Sequence, residues 1–192
     1  MRRWLGVVLA VSVVVGVSGC TPVIGGLTGL SVDSEGHPVI VLAWCEGATP
    51  DGVKVYHYEE PVSTSPGGGS VGSPVSINIS SSSTVTVDDA HFNAPSLDGQ
   101  SASFRIDEPA DGWTVEPESF AMVPGVEYHA FGGNRDHTFS IAHVYFTGDD
   151  IENLKPGMVL IQQYDEKKGD WVDVMVSQEN FDRQGQDPSR CA

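Results

Sequence analysis

The feature that most restricts this chain is its hydrophobic rhythm. Apolar residues recur at a spacing of two in short runs, and the runs are cut by Gly, Pro, Asp and Ser. Val53, Val55 and His57 fall on one face of such a run, with Lys54, Tyr56 and Tyr58 on the other. Val75, Ile77 and Ile79 alternate with polar residues, Val85 and Val87 continue in phase, and Ala102, Phe104 and Ile106 mark a further run, as do Val126, Tyr128 and Ala130. A period of two sends alternate side chains to opposite faces, which is the signature of a half-buried β-strand. Residues 38–45 are apolar throughout and rich in β-branched side chains. They are too short for a packed helix and read as a central strand buried on both faces. Residues 139–146 form another nearly continuous apolar run.

The punctuation agrees with this reading. Asp33-Ser34-Glu35-Gly36 joins 27–32 to 38–45, and the polar stretch 165–170 joins 158–164 to 171–176, each as a hairpin. Pro124-Gly125 is a turn, and 113–115 and 120–123 are shorter strand candidates. Helical signals are confined to 149–154, stopped by Lys155-Pro156-Gly157, and to 177–181 with Ser177 as N-cap. The expected fold is all-β, an antiparallel β-sandwich of immunoglobulin-like architecture. That likeness is architectural only, because Trp44 directly precedes Cys45 and the Cys…Trp…Cys spacing of true immunoglobulin domains is absent. Residues 61–74, PVSTSPGGGSVGSP, hold nothing that builds a core and read as a flexible loop within one domain spanning 27–192. Two smaller β domains meeting near residue 100 are the alternative.

The N-terminus carries a different message. Met1-Arg2-Arg3 is positive, 4–17 is uncharged and apolar, and Val17-Ser18-Gly19-Cys20 follows. Fourteen such residues suit a signal h-region better than a bilayer span, which needs about 20. The tetrapeptide resembles the lipobox of bacterial cell-envelope lipoproteins. The resemblance implies that residues 1–19 are a signal peptide, removed on export, and that Cys20 carries the lipid anchor, palmitate-type chains included. Residues 20–26 are then a lipidated Cys and short tether. Two acyl chains make attachment stable where one is marginal. The protein is expected at the extracytoplasmic face of the cell membrane. Arg2-Arg3 leaves the route open between general secretory and twin-arginine export, and the Val/Gly/Asp-rich, Lys-poor composition resembles that of actinobacterial proteins.

Charge narrows the partners. The chain has 10 Lys and Arg against 26 Asp and Glu; residues 20–192 keep eight of the bases and all the acids, a formal charge of −18. Nucleic acid is excluded as a partner, since phosphate binding needs clustered Lys and Arg. With Cys20 lipidated, Cys45 and Cys191 remain as a pair for an oxidising compartment, read as a disulfide stapling the C-terminal tail to the second strand, with two free thiols as the alternative.

No motif selects a chemistry. Gly68-Gly69-Ser70-Val71-Gly72 fits the nucleophile elbow and Gly67-x-Gly69-x-x-Gly72 the dinucleotide fingerprint, but neither has the strand and helix such motifs need. No catalytic residue and no cofactor is assigned. Among the histidines, His91, His129, His137 and His143 are weak metal candidates, with His129 and His143 on separate strands. Asp149-Asp150-Ile151-Glu152 and Asp107-Glu108 with Asp111 lack a calcium-loop pattern. Tyr56 and Tyr58, with Trp113, Tyr128 and Phe131, are candidates for an aromatic platform. The expectation is a non-enzymatic binding or envelope-support module for an envelope protein, glycan or small molecule. The alternatives are a secreted hydrolase with a loop-assembled site and a metal-binding lipoprotein.

Replacing Cys20 with Ala is expected to abolish incorporation of labelled fatty acid and to release the protein from the membrane fraction. Retention of the Cys20→Ala chain in that fraction contradicts the anchor.

Overall fold

A computed structural model of the protein describes residues 23–60, 84–136, 138–189 and 191. The signal segment, Cys20, the 61–74 loop, its two glycine motifs and the Val75–Ile79 run lie outside the described residues. In chain order the elements are β1 (Val23–Val32), β2 (Pro38–Trp44), β3 (Gly52–Glu59), β4 (Val85–Asn93), β5 (Ser101–Arg105), β6 (Thr114–Glu116), β7 (Tyr128–Gly133), β8 (Phe139–Ala142), β9 (Val144–Phe146), α1 (Gly148–Asn153), β10 (Met158–Asp165), β11 (Asp170–Ser177) and α2 (Gln178–Gly185). The fold is mostly β, and the strands belong to one curled sheet.

β1 is the junction. One edge pairs with β2 from Gly26 to Val32. Its other edge pairs first with β8 and, farther along at Leu30, with β10. The sheet therefore continues from β1 in two directions, through β10 to β11 and through β8 to β7, β3, β4 and β6, while β5 flanks β2. The β1–β8 pairing is parallel, so the sheet is mixed where a wholly antiparallel one was expected. The 139–146 run divides at His143: β8 pairs with β1 and β7, and β9 covers the rest of the β7 edge. Between β9 and β10 the Gln162 side chain takes the place of a ladder bond. Its amide donates to the Tyr145 carbonyl at 3.0 Å and its oxygen accepts from the Tyr145 N–H at 2.8 Å.

Both hairpin turns form as expected. In the first, Asp33 Oδ1 accepts from the N–H groups of Glu35 and His37, and β2 pairs with β1 through seven residues. β1 starts at Val23, taking up the end of the expected tether. Residues 120–123 form no strand. Phe120 instead packs edge-on against Tyr128 at 5.4 Å, and the Val123 N–H donates to the Tyr128 hydroxyl at 2.8 Å.

β2 is buried on both faces, as its unbroken apolar run predicts. Ile40, Leu42 and Trp44 enter the main core with Leu30, Val53, Val55, Phe92, Tyr128, Ile141, Val144 and Phe146. Val41 and Ala43 enter a second, smaller core with Val159, Ile161, Val176 and Phe181. The main core is closed by aromatics from opposite ends of the sheet. Phe104 of β5 stacks on Trp113 at 4.1 Å and meets Phe92 of β4 at 4.9 Å. Such pairs add about 0.5–1.5 kcal/mol beyond the area they bury.

The second core depends on α2. Ser177 caps it, accepting from the Asn180 N–H, and the fully buried Phe181 fills the space over β1 and β2. Eight residues show little 3.6-residue rhythm, so one aromatic ring does the packing that a longer amphipathic face would otherwise do. Gly185 allows the close approach, since a Cβ there would lie 2.5 Å from the Ala43 Cβ. Just beyond it Cys191 is disulfide-bonded to Cys45, with Cα atoms 6.0 Å apart across 146 residues of chain. The bond holds the tail that carries α2 against the end of β2.

Closing so long a loop is worth about 5 kcal/mol in the chain-entropy picture, with measured values often lower. The Cys45→Ser/Cys191→Ser double variant should lose several kcal/mol in urea unfolding and expose Phe181. An unchanged midpoint would show that α2 docks without the bond.

Candidate functional site

The outward face of β3, β4, β7 and β9 collects residues into rows across the strands. One row runs Glu116, His91, Lys54, Phe131; the next runs Asp88, Tyr56, His129, Tyr145. A bulge at Asp89 creates this pattern. Val55 pairs with Ala90 and Tyr56 with Asp88, so Asp89 is the extra residue of β4. Its carboxylate turns to the other face, where it meets His57. Without that extra residue Val85 and Val87 would change face relative to Ala90 and Phe92.

The second row and its neighbours form an aromatic surface. His129 lies 5.0 Å from Tyr56, 4.9 Å from Tyr58 and 4.3 Å from Tyr145, ring centre to ring centre. His143 stacks on Phe131 at 4.4 Å with the rings nearly parallel, and the Tyr56 hydroxyl reaches His143 Nδ1 at 3.3 Å. Tyr56 and His129 are buried beneath the exposed Tyr58. Burial holds both imidazoles below their usual value, opposed at His129 by Glu127 and reinforced at His143 by His129. Burial, helped by Tyr58 and Tyr145, drives the Tyr56 hydroxyl well above the usual tyrosine range. Each of these shifts favours the uncharged form of its group.

His57 is the opposite case. Its Nδ1 faces Asp89 at 2.7 Å and its Nε2 faces Glu59 at 3.3 Å. The Asp89 hydrogen bond leads in raising its pKa, against a desolvation penalty. With both nitrogens facing carboxylates the protonated ring is favoured, an arrangement suited to fixing the bulge rather than to accepting a proton from a nucleophile.

Beside the aromatic surface lies a groove of about 500 Å³, lined by Lys54, His91, Phe131 and Arg135 among others, and within the usual range for ligand sites. Two glycines make its floor. Gly52 and Gly133 are register partners on β3 and β7, next in line to Lys54 and Phe131. Gly52 is required by packing, because a Cβ there would sit 2.3 Å from the Phe92 carbonyl oxygen. Gly133 is not: its φ is not left-handed, and the nearest atom to an added Cβ is the Phe139 carbonyl oxygen at 3.4 Å, an ordinary contact. Glycine weakens a strand, and one that packing does not demand fits a place where a ligand or another backbone comes close.

The residues singled out from the sequence separate in space. His91 lines the groove, His129 and His143 lie in the aromatic surface, and His137 and Cys20 are outside the described residues. Among the described residues no group of three or more His, Cys, Asp or Glu is placed to hold a metal ion. Tyr56, Tyr58 and Phe131 share one outward surface, whereas Trp113 and Tyr128 belong to the main core. Asp107 is bound by Arg105 and His37, and Asp150 closes a capping box with Thr147 at the start of α1. Gly52, Gly133, Lys54, Glu116 and Arg135 were not anticipated. The only trace of the floor in the sequence is a glycine at each end of a strand pattern.

Gly133→Ala should raise stability by about 0.5–1 kcal/mol, while Gly52→Ala should lower it, as read by urea unfolding; loss in both variants contradicts the open floor. Acid acts on the histidines in two directions. Below about pH 6.5 the unfolded chain takes up protons that folded His129 and His143 resist, so their effect is to lower stability as pH falls through that window. The His57 contribution is full below pH 6.5 and is lost as pH rises through its raised value. His143→Gln should therefore flatten the fall in thermal midpoint between pH 7 and 5, and Asp89→Asn should cost more at pH 6 than at pH 8. A steeper acid loss in His143→Gln would contradict the assignment.

No protein-family model, curated protein or solved structure matches this chain, so the functional reading rests on its own residues.

Proposed function

We propose that the protein is a lipid-anchored, extracytoplasmic binding module without catalytic activity, attached to the cell membrane through Cys20, and that its ligand is a small molecule or glycan unit seated in the groove over Gly133. The observation that carries this is Gly133 itself. The chain keeps a glycine where a side chain would fit and would strengthen the strand, and the residue omitted is the one that would fill the groove. The groove opens beside an aromatic surface, and its walls offer paired and unpaired polar groups. Sites of this composition fix orientation with few polar contacts and bury the rest of a ligand against apolar walls.

The same reading extends to the architecture. The curled sheet is taken as a sandwich of immunoglobulin-like character, supported by the contact of Phe104 with Phe92 and Trp113 between its two ends. A hydrolase is disfavoured because the His–Asp pair present, His57 with Asp89, has its second nitrogen on Glu59.

The test is saturation-transfer NMR on the mature protein with a mixed set of monosaccharides, amino acids and nucleosides. At least one compound should bind the native chain and be lost from Gly133→Val, whose thermal midpoint stays at or above that of the native protein. If no compound in the set shows binding sensitive to Gly133→Val, the groove is not the site.

A further inference from the structure

The groove contains an arginine held differently from Arg105 and Lys54. Arg105 is held by Asp107 and Glu108, and Lys54 by Asp88 at 2.8 Å. Arg135 instead donates from Nη2 to the amide oxygen of Asn93 at 3.0 Å, and its own backbone N–H is fixed by Asp51 at 3.1 Å. Asn93 in turn donates to Glu116 at 3.3 Å. A neutral amide thus stands between the guanidinium and the nearest acid of that chain of contacts. Among the described residues no carboxylate lies within ion-pair distance of the Arg135 guanidinium. In a chain with 26 acids and 10 bases, an arginine aimed by an amide keeps most of its five N–H donors for a ligand.

Resting on the groove reading above, we propose that the ligand is a carboxylated sugar of the uronic-acid type, its carboxylate on Arg135 and its ring over Gly133 against Phe131. A carboxylate matches the guanidinium fork with two parallel hydrogen bonds. The imidazole of His91 lies over Gly52, its Nε2 3.4 Å from where a Cβ would stand, and supplies a polar edge across the floor. Phe131, braced from behind by His143, offers an apolar wall for the C–H face of a sugar ring. The carboxylates of Asp88 and Glu116 line the same groove and accept from sugar hydroxyls through oxygens not used by Lys54 and Asn93. These acids also set the charge of the ligand. In the groove Asp51, Asp88 and Glu116 outnumber Lys54 and Arg135, so the second negative charge of a phosphate dianion adds repulsion that a carboxylate monoanion avoids.

The experiment titrates the mature protein with D-glucuronate, D-glucose and glucose 6-phosphate, following backbone amides by two-dimensional NMR. D-glucuronate should shift Phe131, Gly133 and Arg135, and should bind at least tenfold more tightly than either other probe. Arg135→Gln should weaken it at least tenfold, Arg135→Lys should restore part of that loss, and Gly133→Val should abolish it. Equal affinity for glucose and glucuronate, or indifference to Arg135→Gln, overturns the anion assignment while binding that remains sensitive to Gly133→Val leaves the groove reading standing. Tighter binding of glucose 6-phosphate overturns it in favour of a phosphate. Absence of Gly133-sensitive binding by all three probes overturns the sugar assignment, and the mixed-compound screen then decides whether the groove binds anything.

Discussion

Burial of β2 on both faces is the constraint from which the rest of the arrangement follows. A strand with no polar face must be covered twice. The first cover is the sheet itself, which curls until Phe104, Trp113 and Phe92 meet across the main core. The second is the β10–β11 hairpin and α2, with Phe181 driven into the space over Val41 and Ala43. Because α2 is short, its own propensity contributes little, and the Cys45–Cys191 bond keeps it in place. Both β1 and β2 are therefore committed to packing. The outward face of β3, β4, β7 and β9 carries the groove.

Much of this was legible in the amino-acid order, and the parts that were not share one cause. The apolar run of β2, the two hairpin turns, the alternation in β3 and the Ser177 cap are local signals, and each appears in the structure where expected. The parallel pairing of β1 with β8 and the division of 139–146 at His143 are not local. They depend on which distant strand a segment meets, and nothing within either segment encodes that. The bulge at Asp89 is equally silent, since one residue inserted into a strand looks like a continuation until its partner is known.

The site shows the same division. Tyr56, Tyr58 and Phe131 were recognisable by type, but Trp113 and Tyr128 looked similar and belong to the core. The decisive pair, Gly52 and Gly133, is separated by eighty residues of chain and becomes a floor only through the register of β3 on β7. Arg135 carries no motif, and its contact with the Asn93 amide oxygen depends on β4 lying beside the turn that follows β7. Individual histidines looked like metal candidates by chemistry, yet His91 and the pair His129 and His143 were placed by the sheet in different environments, one polar and two apolar.

The account requires the groove to be a receptacle rather than an accident of two glycines. A crystal structure of the protein isolated from its own envelope decides this directly. If the groove is a receptacle, density for a ring compound lies over Gly133 with an acidic group on Arg135, and the Arg135–Asn93 hydrogen bond is retained. If instead Arg135 has folded onto Glu116 or Asp88 and Phe131 has closed over the floor with no ligand between them, the central claim is wrong.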